Sequence, residues 1–318
     1  MEIEISVALA LYRPNRKYLA EQLHSLVLQG CQPDELLVWN DSPDELDAES
    51  VLRAADLPFP WRVYKDGSRH GVTSAFERLT KEAKGKYLAY CDQDDIWTPD
   101  KLAIMKNYME AHPDCLCCHA AVRLINSRGD RIGVLYTQPL AVLNDASWQT
   151  YHFLRENQTL GCAMLVRTTA ARAALPFPRR SYHDQWIALW CLFHERGEGF
   201  RFLREELLLH RIHRGHASTR LAGITCRRAY YEKKLAKDGA LLREVTSRLP
   251  GASSCYVADC RWLRARRDYA AHPGLSQAWR LWRQRKLRPQ ITYFELLLPW
   301  FPSWLLRHLL QLLRRGRS

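Results

Sequence analysis

Asp92, Asp94 and Asp95 put three carboxylates within four residues, directly after the apolar run Tyr87–Cys91. Carboxylates that close repel one another unless something positive sits among them. A hard divalent cation, Mg2+ or Mn2+, is the natural neutraliser, because it takes oxygen ligands and shares substrate phosphates. The competing reading is a solvated acidic turn with Asp95 serving as a cap. A further acid, Asp41, follows the apolar run Leu36–Trp39 with Asn40 beside it. The crowded Cys115, Cys117, Cys118 and His119 invite a metal reading too. No C-x2-C partner pair exists elsewhere, so a buried strand with free thiols fits them better.

These acids need elements to hold them. Ile3–Ala10, Leu36–Trp39, Trp61–Tyr64 and Tyr87–Cys91 read as strands, and Asn15–Gln29 and Ser74–Lys84 read as helices between them. Gly85 stands where a C-terminal cap is expected, and Thr98-Pro99-Asp100 reads as the start of another helix. Strand–helix alternation predicts a mostly parallel sheet with helices on both faces, and ligands of such sheets bind beyond the carboxyl ends of the strands. Farther on, Leu116–Ile125 and Arg131–Leu135 flank the turn Ser127-Arg128-Gly129-Asp130 as a hairpin. Leu160–Val166 is a strand and Asp184–Phe193 a Trp- and Leu-rich helix.

Charge divides the chain. Its 318 residues carry +13, yet residues 219–318 hold 21 basic and 6 acidic residues, a net of +15, and residues 1–218 are close to neutral. A basic segment seeks an anionic surface, nucleic acid or membrane. Ile291–Leu313 is apolar but broken by Glu295, Pro299, Pro302, Arg307 and His308, a poor spanning helix. It suits the membrane interface instead, with Trp300, Phe301 and Trp304 at headgroup level and Arg314, Arg315 and Arg317 behind. The opening MEIEISVALALY has no basic n-region and no cleavage site, so the expected compartment is the cytoplasm and the ten Cys need not form disulfides.

Several stretches together resemble the GT-A, family-2 inverting glycosyltransferases, most closely their bacterial rhamnosyltransferase-like branch. They are Val7–Tyr12, Leu36–Asp44, Gly71–Phe76, Lys84–Tyr87, Cys91-Asp92-Gln93-Asp94-Asp95-Ile96-Trp97, Gly161–Met164, Leu175–Pro178, His183-Asp184-Gln185-Trp186 and Leu209–His213. The resemblance covers about residues 3–218. It implies an α/β fold of GT-A, Rossmann-like type, a mostly parallel mixed sheet flanked by helices. Residues 219–318 then form a basic helical extension with a membrane-interfacial C-terminus.

By the same resemblance Asp41, with Asn40, bonds the pyrimidine base, and Asp66 lines the nucleotide pocket. Asp92 faces the ribose, Asp94 or its neighbour Asp95 binds the metal, and Asp184 is the catalytic base. Arg211 and His213 fall at the family's Arg-x-His positions near the diphosphate, where Arg211 would hold the leaving group and His213 would ligate the metal. Trp186 is read as core packing or as a stacking surface for a sugar.

The expected activity is transfer of a sugar, L-rhamnose from dTDP-rhamnose, to a lipid-linked or polysaccharide acceptor in O-antigen or capsule assembly. The enzyme would work at the inner face of the cytoplasmic membrane. Another nucleotide sugar, such as a UDP-hexose, is the alternative donor. A nucleic-acid-binding protein is the alternative class, disfavoured because the tail's cations alternate with Trp and Leu and no recognition motif is present. A degenerate glycan-binding relative is disfavoured by the retained Asp94 and Asp184.

Overall fold

The computed structural model describes residues 3–155, 157–179, 181–195, 198–213, 224, 226–249, 253–302, 304, 306 and 308. Contacts divide the chain into two units, Met1–Ile212 and His213–Ser318. The boundary expected at 218/219, His216, Arg307 and the terminal Arg314, Arg315 and Arg317 lie outside the described residues.

The first unit runs β1 (Ile5–Leu11), α1 (Arg16–Val27), β2 (Glu35–Asn40), α2 (Ala48–Ala54), β3 (Trp61–Tyr64), α3 (Val72–Glu82), β4 (Tyr87–Cys91), β5 (Ile96–Trp97) and α4 (Lys101–Ala111). Then come β6 (Cys117–Ile125), β7 (Arg131–Val134), α5 (Leu140–Leu143), α6 (Ala146–Arg155), β8 (Met164–Arg167), α7 (Thr168–Ala173), α8 (His183–His194) and β9 (Phe200–Arg211). The strands form one sheet in the order β3-β2-β1-β4-β8-β6-β9-β5, with β7 hydrogen-bonded to β6.

The half from β3 to β4 is parallel, and beyond it β8 runs antiparallel to both β4 and β6. β1, β2 and β4 are almost wholly buried, as central parallel strands covered on both faces must be, and they read accordingly as continuous apolar runs. The parallel strands bring the residues after β1, β2, β3 and β4 to one edge of the sheet.

Local signals set most boundaries. Asn15 caps α1 by accepting from the Lys17 and Tyr18 amides at 3.0 and 3.3 Å. Two expectations change. Helix α3 ends at Glu82 with Ala83 as its cap, so Gly85 is not a cap. A Cβ at residue 85 would stand 2.6 Å from the Ser6 amide nitrogen, so glycine is there because the chain crosses against β1. The helix after the acidic turn begins at Lys101 rather than beside Thr98, although the Thr98 carbonyl still accepts from the Lys101 amide at 3.1 Å besides the Gln29 side chain at 2.7 Å.

The cysteine run is β6. Cys117 and Cys118 are buried free thiols. His119 accepts from the Leu160 amide on Nε2 (3.1 Å) and its Nδ1 meets the Ala120 carbonyl at 2.7 Å. Burial holds this ring neutral, pushed down to about 3. It is a satisfied core histidine, not a ligand.

The second unit contains α9 (Arg227–Arg248), α10 (Ser253–Ala271), α11 (Leu275–Arg283) and α12 (Pro289–Leu297). Its packing centres on Trp262, Ala265, Tyr269 and Leu281 and on Tyr230 and Leu298. Among the described residues, no helix is long and apolar enough to cross a membrane.

Candidate active site

The acidic turn leaves β4 at Cys91 and is held from two sides. Gln93 accepts from the Tyr12 amide at 2.8 Å and donates to the Tyr12 carbonyl at 3.0 Å, which fastens the turn to the end of β1. Opposite, the antiparallel register of β5 on β9 pairs Ile96 with Leu209 and so sets Asp95 beside His210. Asp95 is fully buried, and its Oδ1 accepts from the Arg211 amide at 3.0 Å and meets His210 Nδ1 at 2.9 Å.

Burial alone would raise the Asp95 carboxyl, but the His210 charge and the bond between them outweigh it and hold Asp95 down at about 2. Burial likewise works against a charged His210, and Asp95 overcomes it, lifting the imidazole to about 9. At Asp92 burial, then the charges of Asp95 and Asp94, push the carboxyl up to about 7; the His210 charge and the Cys162 thiol pull downward too, but they do not prevail.

The fit of a metal can be judged from these differences. Asp95, Cys162 and His210 bring their ligand atoms within 4.8 Å of one another, but this is a closed, buried set. Its thiol is pushed far up by burial and by Asp95 and Asp92. A protonated soft donor beside a buried Asp–His ion pair does not suit Mg2+ or Mn2+, although Asp95 Oδ2 has no hydrogen-bond partner among the described residues. Asp92 and Asp94 are partly exposed hard-oxygen donors on the same turn, in a patch with excess negative charge, and they do fit such a cation. Geometry thus gives Asp95 to His210 and leaves Asp94 as the better candidate ligand. His213 is partly exposed, two residues after Arg211, where the second unit begins.

Arg211 corrects an expectation. Its guanidinium is buried, donating from Nε to the Asp94 carbonyl at 2.9 Å and ion-paired with Glu21, and it lies 4.4 Å over the Tyr18 ring. It clamps the acidic turn to α1 and β9 instead of standing open to a diphosphate. Lys101, which sequence reasoning missed, lies fully buried beneath the turn, 3.5 Å over the Trp97 ring and bonded to the Cys162 carbonyl. Burial pushes its ammonium down to about 8.

Past β2, Asn40 and Asp41 part company. Asn40 spends its side chain on the loop, accepting from the Ser42 amide at 3.1 Å and donating to the Leu46 carbonyl at 2.8 Å. It shapes its own loop rather than offering a free edge to a base, a second correction. Asp41 accepts from the His70 and Gly71 amides at 2.7 and 2.8 Å and from Trp39 Nε1 at 3.3 Å. A carboxylate has about four lone-pair positions, so one stays available to a ligand.

Asp66 joins the same cluster. It meets His70 Nε2 at 2.8 Å and Arg78 at 3.0 Å, and the His70 bond holds its carboxyl below the usual range. Asp41 and Asp66 are therefore brought together through His70, a residue that no motif singled out. Exposed Arg69 lies 4.2 Å over the Tyr12 ring at the same edge.

Asp184 sits in the first turn of α8 and is largely buried. Its Oδ1 accepts from Asn157 Nδ2 at 3.0 Å and from the Gln185 amide at 2.7 Å, and its Oδ2 from the Gly161 amide at 3.2 Å. Three bonds fix the carboxylate and leave one lone-pair position. The neighbouring residue explains the glycine. A Cβ at residue 161 would stand 2.4 Å from His183 Nε2. The His183 ring is buried against Phe76 and Tyr90, at 4.3 and 5.0 Å, and burial lowers its pKa.

Gly161 touches Asp184, while Cys162, next in the chain, touches the Asp95–His210 pair. Asp184 and the acidic turn therefore flank one short turn of chain. Trp186 is core, its indole donating to the Ala174 carbonyl at 2.8 Å.

The Asp95–His210 pair carries a pH signature. An Asp whose folded pKa is lowered contributes stability above its unfolded value of about 3.9, and a raised His contributes below its unfolded value of about 6.5. The pair's contribution is thus whole between those limits. It is lost as pH rises through about 9 and as pH falls toward about 2. The gap in urea midpoint between wild type and His210→Gln should be widest near pH 5–6, about 3–5 kcal/mol in free energy. It should narrow steadily toward pH 9. Lys101 titrates in both proteins and largely cancels, while Asp92, pushed up to about 7 and sensitive to the His210 charge, adds a step of its own near neutrality. A gap independent of pH would show that His210 is neutral in the fold.

The model of glycosyl transferase family 2 matches residues 6–174 of this chain. An uncharacterized glycosyltransferase of Methanocaldococcus jannaschii is 23% identical over 216 residues, 65% of this chain and 70% of that protein. An uncharacterized protein of Mycobacterium tuberculosis H37Rv is 30% identical over 116 residues, 36% of this chain and 34% of that one. This chain thus spans about a third of the mycobacterial relative. Among solved structures, S. aureus TarS 1–349 in complex with UDP-GlcNAc superposes with a TM-score of 0.56 at 15% identity, over 99% of this chain and 88% of that one. At that identity the likeness concerns the fold. The family match takes in most of β1, then β2 to β4, the acidic turn and Gly161, and stops before α8 and β9; the chain belongs to glycosyl transferase family 2.

Proposed function

We propose that the chain is an inverting glycosyltransferase that moves L-rhamnose from dTDP-rhamnose to a lipid-linked or polysaccharide acceptor in O-antigen or capsule assembly. The observation that carries the reading is the pairing of Asp184 with the Asp92–Asp95 turn across Gly161 and Cys162. In a single displacement the acceptor oxygen bonds to the anomeric carbon, its proton passes to the Asp184 carboxylate, and the bond from that carbon to the diphosphate breaks. Asn157 and the Gly161 amide hold the carboxylate in place for this transfer. Asp94 and Asp92 would hold Mg2+ or Mn2+, with His213 as a third ligand. The cation supplies charge neutralisation for the departing nucleoside diphosphate. Asp41 and Asp66 would receive the base and line its pocket.

The rhamnose donor rests on the resemblance of Cys91–Trp97 and His183–Trp186 to one branch of the family. A UDP-sugar donor is the second reading, favoured by the likeness to a structure that holds UDP-GlcNAc. Incubating the full chain with Mn2+ and a panel of nucleotide sugars, and measuring released nucleoside diphosphate, separates the two. dTDP release from dTDP-rhamnose is expected. Release of UDP alone would assign the chain to the second reading, and release from no donor would overturn both. The protein is further proposed to work as a peripheral protein at the inner face of the cytoplasmic membrane, where the net +15 of residues 219–318 meets anionic lipid.

A further inference from the structure

Helix α12 packs Ile291, Phe294 and Leu296 inward and takes polar residues in with them. Its polar residues Thr292 and Glu295 are fully buried. Arg266, itself buried, grips both Glu295 oxygens at 2.8 and 2.6 Å and also bonds Asp238. The Tyr230 hydroxyl donates to Glu295 at 2.9 Å, and Trp262 Nε1 donates to the Thr292 hydroxyl at 3.1 Å. Rolling the helix over would strip a buried, bidentate ion pair of its partner, so these bonds fix which side faces out.

The outward side is apolar: Tyr293, Leu297, Trp300 and, beyond Pro302, Trp304, with the two tryptophans 77% and 65% exposed. Tyr293 and Leu297, four residues apart, share one face of α12, and Trp300 and Trp304 follow beyond its end. Helix α11 repeats the pattern. Leu275, 93% exposed, precedes exposed Trp279 and Trp282, whose rings stack at 5.0 Å, while Leu281 points into the core. A surface helix in water normally carries its apolar stripe inward, and a contiguous outward stripe marks a contact surface.

The charges around the stripes choose the occupant. Residues 275–304 contain Arg280, Arg283, Arg285, Lys286 and Arg288, and their one acid, Glu295, is buried. A second copy of the chain would set cation against cation. Aromatic and leucine side chains ringed by Arg and Lys match the interface of an anionic bilayer, rings at headgroup depth and cations on phosphate.

We infer that α11 and α12 are the membrane-contacting elements of this protein. Trp279, Tyr293, Leu297, Trp300 and Trp304 insert to interfacial depth in an anionic bilayer, and the Arg266–Glu295 pair holds α12 in the inserting orientation. This rests on the proposed membrane association and gives it a different physical basis, because insertion survives salt that would screen charge alone.

The test uses the full chain and vesicles of phosphatidylglycerol mixed equally with phosphatidylcholine. The wild type should float with the vesicles at low and high salt, and chain-brominated lipid should quench its tryptophan fluorescence. Trp300→Ser combined with Trp304→Ser should weaken partitioning about tenfold or more with an unchanged circular dichroism spectrum. Tyr293→Ser with Leu297→Ser should weaken it similarly.

Unchanged partitioning in both variants overturns the inference, as does full release of the wild type at high salt. Self-association that both variants abolish would assign the stripe to a second copy and overturn it as well. Nucleoside diphosphate release to a soluble acceptor, measured in parallel, reports the transferase reading separately. It should be unaffected by these substitutions, and its absence alongside intact partitioning would sink only that reading.

Discussion

Asp184→Asn is expected to lower sugar transfer by roughly 10²–10⁴-fold while leaving nucleotide-sugar affinity close to wild type. The amide keeps the shape of the carboxylate and can still accept from Asn157 or from the Gly161 amide, the bonds that place it. What it loses is the capacity to take a proton. The loss should therefore fall on kcat, with donor binding measured by calorimetry unmoved. Asn157→Ala is a useful companion. It removes one positioning bond without removing the base, so its effect should be smaller and in the same direction. Near wild-type turnover in Asp184→Asn would place the base elsewhere, and Asp66 would then be the next carboxylate to test.

Asp94→Ala should remove most turnover without unfolding the protein, and excess EDTA should do the same to the wild type. Asp94 is partly exposed, whereas Asp95 is buried against His210. The two neighbours should consequently fail in different ways. Asp94→Ala should weaken Mn2+ binding by titration calorimetry and keep a wild-type melting curve. Asp95→Ala strands a buried imidazolium and should lower stability by about 3–5 kcal/mol. Full activity in excess EDTA would remove the metal from the reaction. Equal destabilisation by both substitutions would mean that Asp94 too is a structural acid.

Part of this was legible in the chain because it is local. β3 and β4 have the bounds that apolar runs and their polar ends predict, and the other elements of the first unit read from the sequence differ by a few residues at their ends, whereas α2, β5, α5, α6, α7 and β9 go unread there. The acidic turn lies at a strand's carboxyl end for the same reason. The departures are instructive. Gly85 has the residue type of a cap, but it answers to a chain crossing that no local signal reveals. Arg211 has the type and place of a phosphate ligand, yet Glu21, 190 residues away in sequence, takes its charge.

The sequence by itself determined the strand–helix alternation as far as the acidic turn, that turn's place after β4, the acid that opens α8 and the basic balance of the last hundred residues. Periodicity, caps and charge are properties of neighbouring residues and need no partner. Only the tertiary structure decided which acid of the turn is neutralised from within, because the Asp95–His210 contact spans 115 residues and depends on the register of β5 against β9. It alone decided that Asn157 and Gly161 orient Asp184. It also decided that the single acid of α12 faces inward. By helical pattern alone Glu295 belongs in water. Arg266, 29 residues earlier, offers it a bidentate partner in the core, and that pairing leaves Tyr293 and Leu297 on the outside.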